Sequence, residues 1–148
     1  MSNPLAWTEH FAVGHEEIDR QHRRLLDTIN EVDDAVRAGT NPDRVAEIMA
    51  SLRAAAEAHF RQENSILWQI KTGTFRRRSS KALPRPMLGV ITDTEFDQHT
   101  AEHAVSLTAL DDIKSAPLAA IAEHLTSWFV DHAVNHDSQL KAIFQAMS

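Results

Sequence analysis

Seven side chains of the types that bind transition metals occur in four short clusters along the chain. Their members are His22, the pair His59 and Glu63, the pair His99 and His103, and the pair His132 and Asp137. In the two middle clusters the side chains are four residues apart, so they project from one face of a helix, one turn apart. A single pair of this kind is weak evidence, because such pairs occur on many helix surfaces. Four clusters that can all face the interior of one bundle predict a metal site.

Burying five imidazoles together requires a partner for each of them. Hydrogen bonds among the histidines could satisfy two or three, whereas coordination to metal would satisfy all five. Imidazole and carboxylate ligands suit iron, manganese, zinc and copper. Seven ligands are too many for one ion, so we expect two metals bridged by Glu63 and Asp137. With a shared oxygen bridge as well, one of the two metals keeps a position open to a small ligand.

Four amphipathic helices are predicted to carry these clusters. Apolar residues recur at steps of three and four along each segment, and the histidines fall on the same stripes. Gly39 and Gly73 mark two helix ends, and Asn41 followed by Pro42 marks a start. The expected helices cover 17–38 and 42–72, then a stretch that begins at 93 or 94, and a last one after Pro117. This pattern predicts an all-α fold, an up-down-up-down four-helix bundle with a long loop between helices 2 and 3.

The segment 73–92 lacks the helical period. Pro84, Pro86 and Gly89 break any helix there, and a structureless stretch of about 20 residues is long for a compact domain. Six basic residues and no acidic ones fall within positions 71–85. Two interpretations remain open. The segment is either a solvated, mobile insertion or a docking arm, from Arg76 to Arg85, for an acidic protein partner, an anionic lipid or the acidic surface of another copy.

Composition bounds the class of protein. The chain has 148 residues, no cysteine and a formal net charge of -6. We therefore expect a single domain over 1–148 with 73–92 inserted in it, and thiolate ligands and iron–sulfur clusters are excluded. Outside 71–85, the other 133 residues hold 9 basic and 21 acidic side chains, which argues against nucleic-acid binding.

With neither a signal sequence nor an apolar run of about 18 residues, a cytoplasmic protein without a membrane span is expected.

The residues resemble the hemerythrin family, in particular its bacterial branch, over nearly the whole chain. The likeness rests on these motifs: Trp7, Val13-Gly14, Ile18-Asp19-x-Gln21-His22, His59-Phe60-x-x-Glu63, His99-x-x-x-His103 and Trp128-Phe129-x-x-His132-x-x-x-x-Asp137. All seven ligand positions of the family have a matching residue here. The resemblance implies two iron ions that share an oxo or hydroxo bridge, with Glu63 and Asp137 as further bridges.

The resemblance also implies how the histidines are divided between the irons. One iron would be held by His99, His103 and His132. The other would be held by His22 and His59, and dioxygen would bind there. The apolar pocket expected around dioxygen is formed by residues that are also ordinary core types: Leu25, Phe60, Trp128, Phe129 and Ala133.

The function implied by this resemblance is reversible dioxygen binding, for transport, storage or buffering. Because neutral imidazoles outnumber carboxylates, full cleavage of dioxygen is less favourable, and no general acid or base stands out in the pocket. An enzyme is therefore not expected. Two other interpretations use the same open iron: an oxygen or redox sensor or adaptor that signals through the basic loop, and an enzyme that handles peroxide or nitric oxide. The ligands alone do not separate the three.

The fourth cluster departs from regular helix geometry. Asp137 lies five residues after His132, about 140° off its face on a regular helix, so His136 is the partner that helical geometry favours. The resemblance selects Asp137, and a second bridging carboxylate would otherwise be missing. A π-type widening of the fourth helix would bring Asp137 around, and such bulges are frequent at functional sites.

Three residues depart from the family pattern. Asn64 follows the bridging glutamate where a second glutamate is common, Leu67 stands where a methionine is common, and Ala133 replaces a larger aliphatic residue. The smaller side chain of Ala133 predicts a roomier or wetter pocket and faster autoxidation.

Overall fold

Helices make up most of the chain that the structure, a computed structural model, describes, namely residues 6–74 and 91–146. No strand occurs within these two ranges. A short 3-10 helix (Glu9–Phe11) precedes α1 (Glu16–Arg37), α2 (Pro42–Thr72), α3 (Asp93–Ile113), α4 (Leu118–Val130) and α5 (Ser138–Ala146). The all-α fold class that the sequence predicts is confirmed.

The start and end of α2 follow the signals in its sequence. The Asn41 side chain accepts a hydrogen bond of 2.8 Å from the backbone N–H of Asp43, and Pro42 occupies the first turn, where its missing N–H is not needed. Gly73 ends the helix in the left-handed conformation, with φ of 74°, which favours glycine. Because both ends of α2 are capped, the positions of His59 and Glu63 along the bundle axis are fixed.

The start of α3 carries a reciprocal cap that the sequence analysis did not single out. The Thr92 hydroxyl accepts from the Glu95 backbone N–H at 3.1 Å, and the Glu95 carboxylate accepts from the Thr92 backbone N–H at 3.2 Å. The signal is present in the sequence as a threonine followed three residues later by a glutamate. This cap fixes the first turn of the helix that bears His99 and His103.

The fourth predicted helix is interrupted by one widened turn. A π-helical segment (Asp131–His136) joins α4 to α5, and the Asp137 N–H donates to the His132 carbonyl oxygen at 3.0 Å, five residues back. The predicted π-type widening is therefore confirmed. It lies at the two residues that the sequence assigns to the metal site.

The four long helical segments pack around a common interior. Helix α1 packs against α2 and α4, and α3 packs against α2 and α4, so each segment contacts two others. Apolar stripes face inward: Leu25 and Ile29 of α1, Leu52 of α2 and Leu125 of α4 are all 0–1 % exposed. This packing supports a helical bundle, and the up-down-up-down order of helix directions stays a prediction.

Two apolar clusters lie on either side of the metal-ligand candidates. Along α1, His22 lies between Ile18 of one cluster and Leu25 of the other, and along α2, Glu63 lies between Phe60 and Ile66. Burial of a large apolar side chain stabilises the fold by about 1.5–3 kcal/mol. The two clusters therefore supply the folding free energy that allows a polar layer to be buried between them.

Two sequence predictions concern residues that the structure does not describe. Residues 75–90 of the inserted basic loop, which include every residue from Arg76 to Arg85, fall outside the described residues, and so does the side chain of His136. The single-domain assignment stays a prediction. Within the described ranges, no helix combines the length and apolar character that a membrane crossing requires.

Candidate metal centre

The seven predicted ligands come from every long helical segment and meet in the bundle interior. Each of them is at most 4 % exposed. Helix α1 supplies His22, α2 supplies His59 and Glu63, α3 supplies His99 and His103, and the widened turn supplies His132 and Asp137. All seven were singled out from the sequence, and the structure brings them together.

The ligand atoms fall into two groups, within each of which they lie no more than 4.8 Å from one another. One group contains His22, His59, Glu63, His132 and Asp137, and the other contains Glu63, His99, His103 and Asp137. The two carboxylates belong to both groups, which is the arrangement of bridging ligands.

The first group has the spacing of atoms around a single metal ion. Asp137 Oδ2 lies 2.9 Å from His22 Nε2 and 3.0 Å from His132 Nε2. Glu63 Oε1 lies 3.1 Å from His132 Nε2 and also contacts His59 Nε2. Neighbouring ligands at right angles on a metal with bonds of about 2.1 Å are about 3 Å apart. The three separations of 2.9–3.1 Å therefore match an octahedral edge.

In the second group the same two carboxylates present their other oxygens. Glu63 Oε2 lies 3.5 Å from His99 Nε2 and 3.5 Å from His103 Nε2, and Asp137 Oδ1 lies 3.9 Å from His99 Nε2. Each carboxylate thus directs one oxygen to each group, so either could join two metals.

His132 lies with a different group from the one that the resemblance implies. Its Nε2 is 3.1 Å from His59 Nε2, and it belongs to the group of His22 rather than to that of His99 and His103. The carboxylates attract its ring, since both Glu63 and Asp137 lie close to its Nε2. The division of histidines between two irons stays a prediction.

Three of the histidines have their outer ring nitrogen fixed by an oxygen acceptor. His22 Nδ1 donates to the Phe11 carbonyl oxygen at 2.7 Å. His59 Nδ1 donates to Gln21 Oε1 at 2.7 Å, and His103 Nδ1 donates to Asn64 Oδ1 at 2.6 Å. A proton held on Nδ1 leaves the Nε2 lone pair of a neutral imidazole facing inward, as metal coordination requires.

Polar atoms without partners test whether a metal fits the site. Within the described part of the chain, Glu63 Oε2, Asp137 Oδ1 and the Nε2 atoms of His99 and His103 have no hydrogen-bond partner. Each such buried group costs about 1–3 kcal/mol, and more if charged. Lone pairs of imidazole and carboxylate that face one another repel unless a cation lies between them. The donor set therefore fits a pair of metal cations.

Protons compete with metal for the same atoms. Burial opposes the charged form of His22, but Asp137 and Glu63 outweigh it and raise the pKa of His22 to about 9. Burial is likewise outweighed by the same carboxylates at His132, whose pKa rises to about 10. For Glu63, burial favours the neutral acid, yet the charges of His59 and His132 hold its pKa well below the usual value. A binding metal must displace the imidazole protons.

Burial dominates at the other two histidines with shifted values. It lowers the pKa of His59, and it lowers the pKa of His103, although Glu63 acts in the opposite direction at both. These two rings are therefore the more readily neutral ones, and both have their Nδ1 proton fixed by an amide oxygen.

The predicted dioxygen pocket is a buried apolar wall beside the ligands. Its five members all belong to one core cluster: Leu25, Phe60, Trp128, Phe129 and Ala133. Phe60 stacks on the ring of His103 at 4.5 Å with 11° between the planes, and it meets the ring of His132 at 4.8 Å. The Phe129 ring lies 6.1 Å from that of His22. Phe60 and Phe129 thus lie against rings of candidate ligands, which supports a role in shaping the centre.

Sequence reasoning missed the residues that hold the ligands in place. Asp19 accepts from the backbone N–H groups of Val13 at 2.7 Å and Gly14 at 3.3 Å, and so holds the segment whose Phe11 oxygen meets His22. A signal was available, because Asp19 and Gln21 both belong to the motif that ends in His22. His15 caps α1, where its Nδ1 accepts from the Ile18 N–H at 3.3 Å.

A helical bundle that buries five histidines and two shared carboxylates defines a class of metal-binding proteins with a histidine–carboxylate centre. The family model described as hemerythrin HHE cation binding domain matches residues 13–144. The chain therefore belongs to the hemerythrin family. No curated protein matches it.

Proposed function

We propose that this protein holds two iron ions bridged by Glu63 and Asp137 and binds dioxygen reversibly, as a carrier, store or buffer. A shared oxo or hydroxo group would complete the bridge. The observation that carries the proposal is that each carboxylate directs one oxygen to each of two histidine groups. Iron is chosen over zinc or manganese because of the family, since the ligand types alone admit all three.

The chain's own contribution is to orient ligands and to exclude water. When bound, two ferrous ions supply the electrons that reversible binding of dioxygen takes up. His22 and His59 are held by the Phe11 carbonyl oxygen and Gln21, so their Nε2 lone pairs point to one place. Phe60 and Phe129, each at most 2 % exposed, keep water from the ligand rings. Exclusion of water slows the loss of reduced oxygen species and so favours release of intact dioxygen.

The test is an optical spectrum of the iron-loaded, reduced protein before exposure to air, in air, and after deoxygenation. We expect a visible charge-transfer band that forms in air and disappears when dioxygen is removed, with two irons per chain by elemental analysis. Direct and irreversible oxidation would overturn the proposal in favour of a redox sensor or a peroxide-handling enzyme.

A matched pair of histidine variants separates the loss of a candidate ligand from the loss of an exposed histidine elsewhere in the chain. His132→Ala removes a buried ligand and is expected to lower the iron content and abolish the band. His124→Ala removes an exposed histidine of α4 and should leave both unchanged. Equal effects of the two variants would count against the assignment of the ligands.

A further inference from the structure

The acceptors on the outer nitrogens of the ligand histidines share one chemical property. The Phe11 carbonyl oxygen, Gln21 Oε1 and Asn64 Oδ1 are all neutral oxygens, and each lies 2.6–2.7 Å from its Nδ1. Metal-bound histidines usually donate this proton to a carboxylate, a backbone carbonyl or water. Two of the three acceptors, Gln21 and Asn64, are side-chain amides, and a carboxylate of the same shape would fit in either place.

The orientation of the Gln21 amide is fixed by its own neighbours. Its Nε2 donates to Gln62 Oε1 and also lies 3.4 Å from Glu17 Oε1. Because both of these atoms are acceptors, the amide nitrogen must face them, and Oε1 must face His59. His59 therefore donates from Nδ1, and its Nε2 lone pair is available to a metal.

The choice of amide or carboxylate affects the electron density at the metal. A carboxylate on Nδ1 draws the proton toward itself and makes Nε2 a stronger donor. Stronger donation and added negative charge stabilise a trivalent metal more than a divalent one. An amide orients the ring equally well but adds no charge. The divalent metal is therefore more stable, relative to the trivalent one, with an amide acceptor than with a carboxylate.

We propose that Gln21 and Asn64 are positioning residues that hold His59 and His103 as neutral ligands and bias the metal centre toward its reduced, divalent state. The second part rests on the proposed function, because only a redox-active metal can show it. The first part applies to any metal with these ligands. A dioxygen-binding protein needs such a bias, since its oxidised form does not bind dioxygen.

Two sets of variants separate orientation from charge. Asn64→Leu and Gln21→Leu remove the acceptor, and we expect each to lower zinc affinity by about 10–100-fold. Asn64→Asp and Gln21→Glu keep the acceptor and add a charge. We expect these to retain zinc binding and to lower the midpoint reduction potential of the iron-loaded protein. A tenfold change in the preference for trivalent over divalent iron corresponds to about 59 mV.

Contact with water should reduce the shift in both charged variants, since Gln21 and Asn64 are each half-buried. Gln21 lines a surface groove of about 450 Å³ together with Glu17, Arg24 and His59, where water screens an added charge. Gln69→Glu is the matched control, because it adds the same charge on the same helix as Asn64 while Gln69 contacts Ser65 and no ligand. It should move neither zinc affinity nor potential.

The outcomes are distinguishable from failure of the proposed function. If Asn64→Asp lowers the potential no more than Gln69→Glu does, the bias is refuted. If both leucine variants bind zinc like the parent protein, the positioning role is refuted. Should one leucine variant fail to fold by circular dichroism, the zinc affinity of the other decides. If zinc affinity and potential shift as expected but the parent protein does not bind dioxygen reversibly, the proposed function fails and this inference stands.

Discussion

Asp137 Oδ2 lies 3.0 Å from His132 Nε2, although the two residues are five positions apart on a helical segment. On a regular helix this spacing turns the second side chain well away from the first. The widened turn (Asp131–His136), with its hydrogen bond from the Asp137 N–H to the His132 carbonyl oxygen, brings the carboxylate back to the same face. The turn is thus the local feature that gives the centre its second shared carboxylate.

Asp137→Ala should therefore lower the metal content, whereas His136→Ala should not. Removal of the carboxylate leaves Glu63 as the single shared carboxylate beside His22 and His132, and it should lower the number of metals held per chain from two to one or none. His136→Ala is the matched control on the adjacent residue. Elemental analysis of both iron-loaded variants makes the comparison, and loss of metal in His136→Ala alone would show that the regular-helix assignment is right.

The pocket variant Ala133→Ile should slow autoxidation. Ala133 is 3 % exposed and packs in the cluster that contains Phe60 and Phe129, so a larger side chain there would fill space beside the ligands. Overpacking would also cost about 1–3 kcal/mol of stability. The measurement is the half-life of the dioxygen adduct in air. Val134→Ile, at an exposed neighbouring position, is the control, and an unchanged half-life in Ala133→Ile would remove the pocket argument.

Metal affinity should rise steeply with pH between 7 and 9. The pKa values of His22 and His132, about 9 and about 10, mean that both rings carry protons at pH 7, and a metal must displace both. Zinc affinity should therefore rise by up to about 100-fold per pH unit, with release of about two protons. Calorimetry in buffers of different ionisation enthalpy counts these protons, and a pH-independent affinity would contradict the prediction.

The same two histidines predict the pH dependence of stability before metal is added. Their folded-state pKa values lie above the unfolded value of 6.5, so their protonation stabilises the fold fully below pH 6.5. That contribution is lost as pH rises through about 9 to 10. The melting temperature of the chelator-treated protein should accordingly fall between pH 7 and pH 10, and zinc should reverse the fall. A melting temperature that rises over this range would be incompatible with the charged rings.

Asp19→Ala should weaken both the fold and the metal centre. It removes the acceptor for two backbone N–H groups. A hydrogen bond to a charged group contributes about 1.5–3 kcal/mol to the free energy of unfolding. The freed segment would take the Phe11 oxygen away from His22, so zinc affinity should fall as well. Asp27→Ala, an exposed acid on α1, is the control for loss of charge. Urea unfolding and a zinc titration test the two effects separately.

Much of the fold and all seven candidate ligands were readable from the sequence, because both leave local, periodic signals. The apolar steps of α1 and α2 and the caps at Asn41 and Gly73 depend on residues within one or two turns of each other. The ligands are the few residue types that bind transition metals, and four of them recur at helical spacing. The widened turn was predicted only after the resemblance had selected Asp137, because its five-residue spacing from His132 does not fit a regular helix.

The partners that orient the ligands were decided only by the tertiary structure. His59 meets Gln21 across 38 positions, His103 meets Asn64 across 39, and His22 meets the Phe11 carbonyl oxygen across 11. Such contacts depend on the relative height and rotation of packed helices, which periodicity within one helix does not specify. The sequence by itself determined which atoms can bind metal; the packing of the helices decided which protons those atoms keep and toward which point their lone pairs converge.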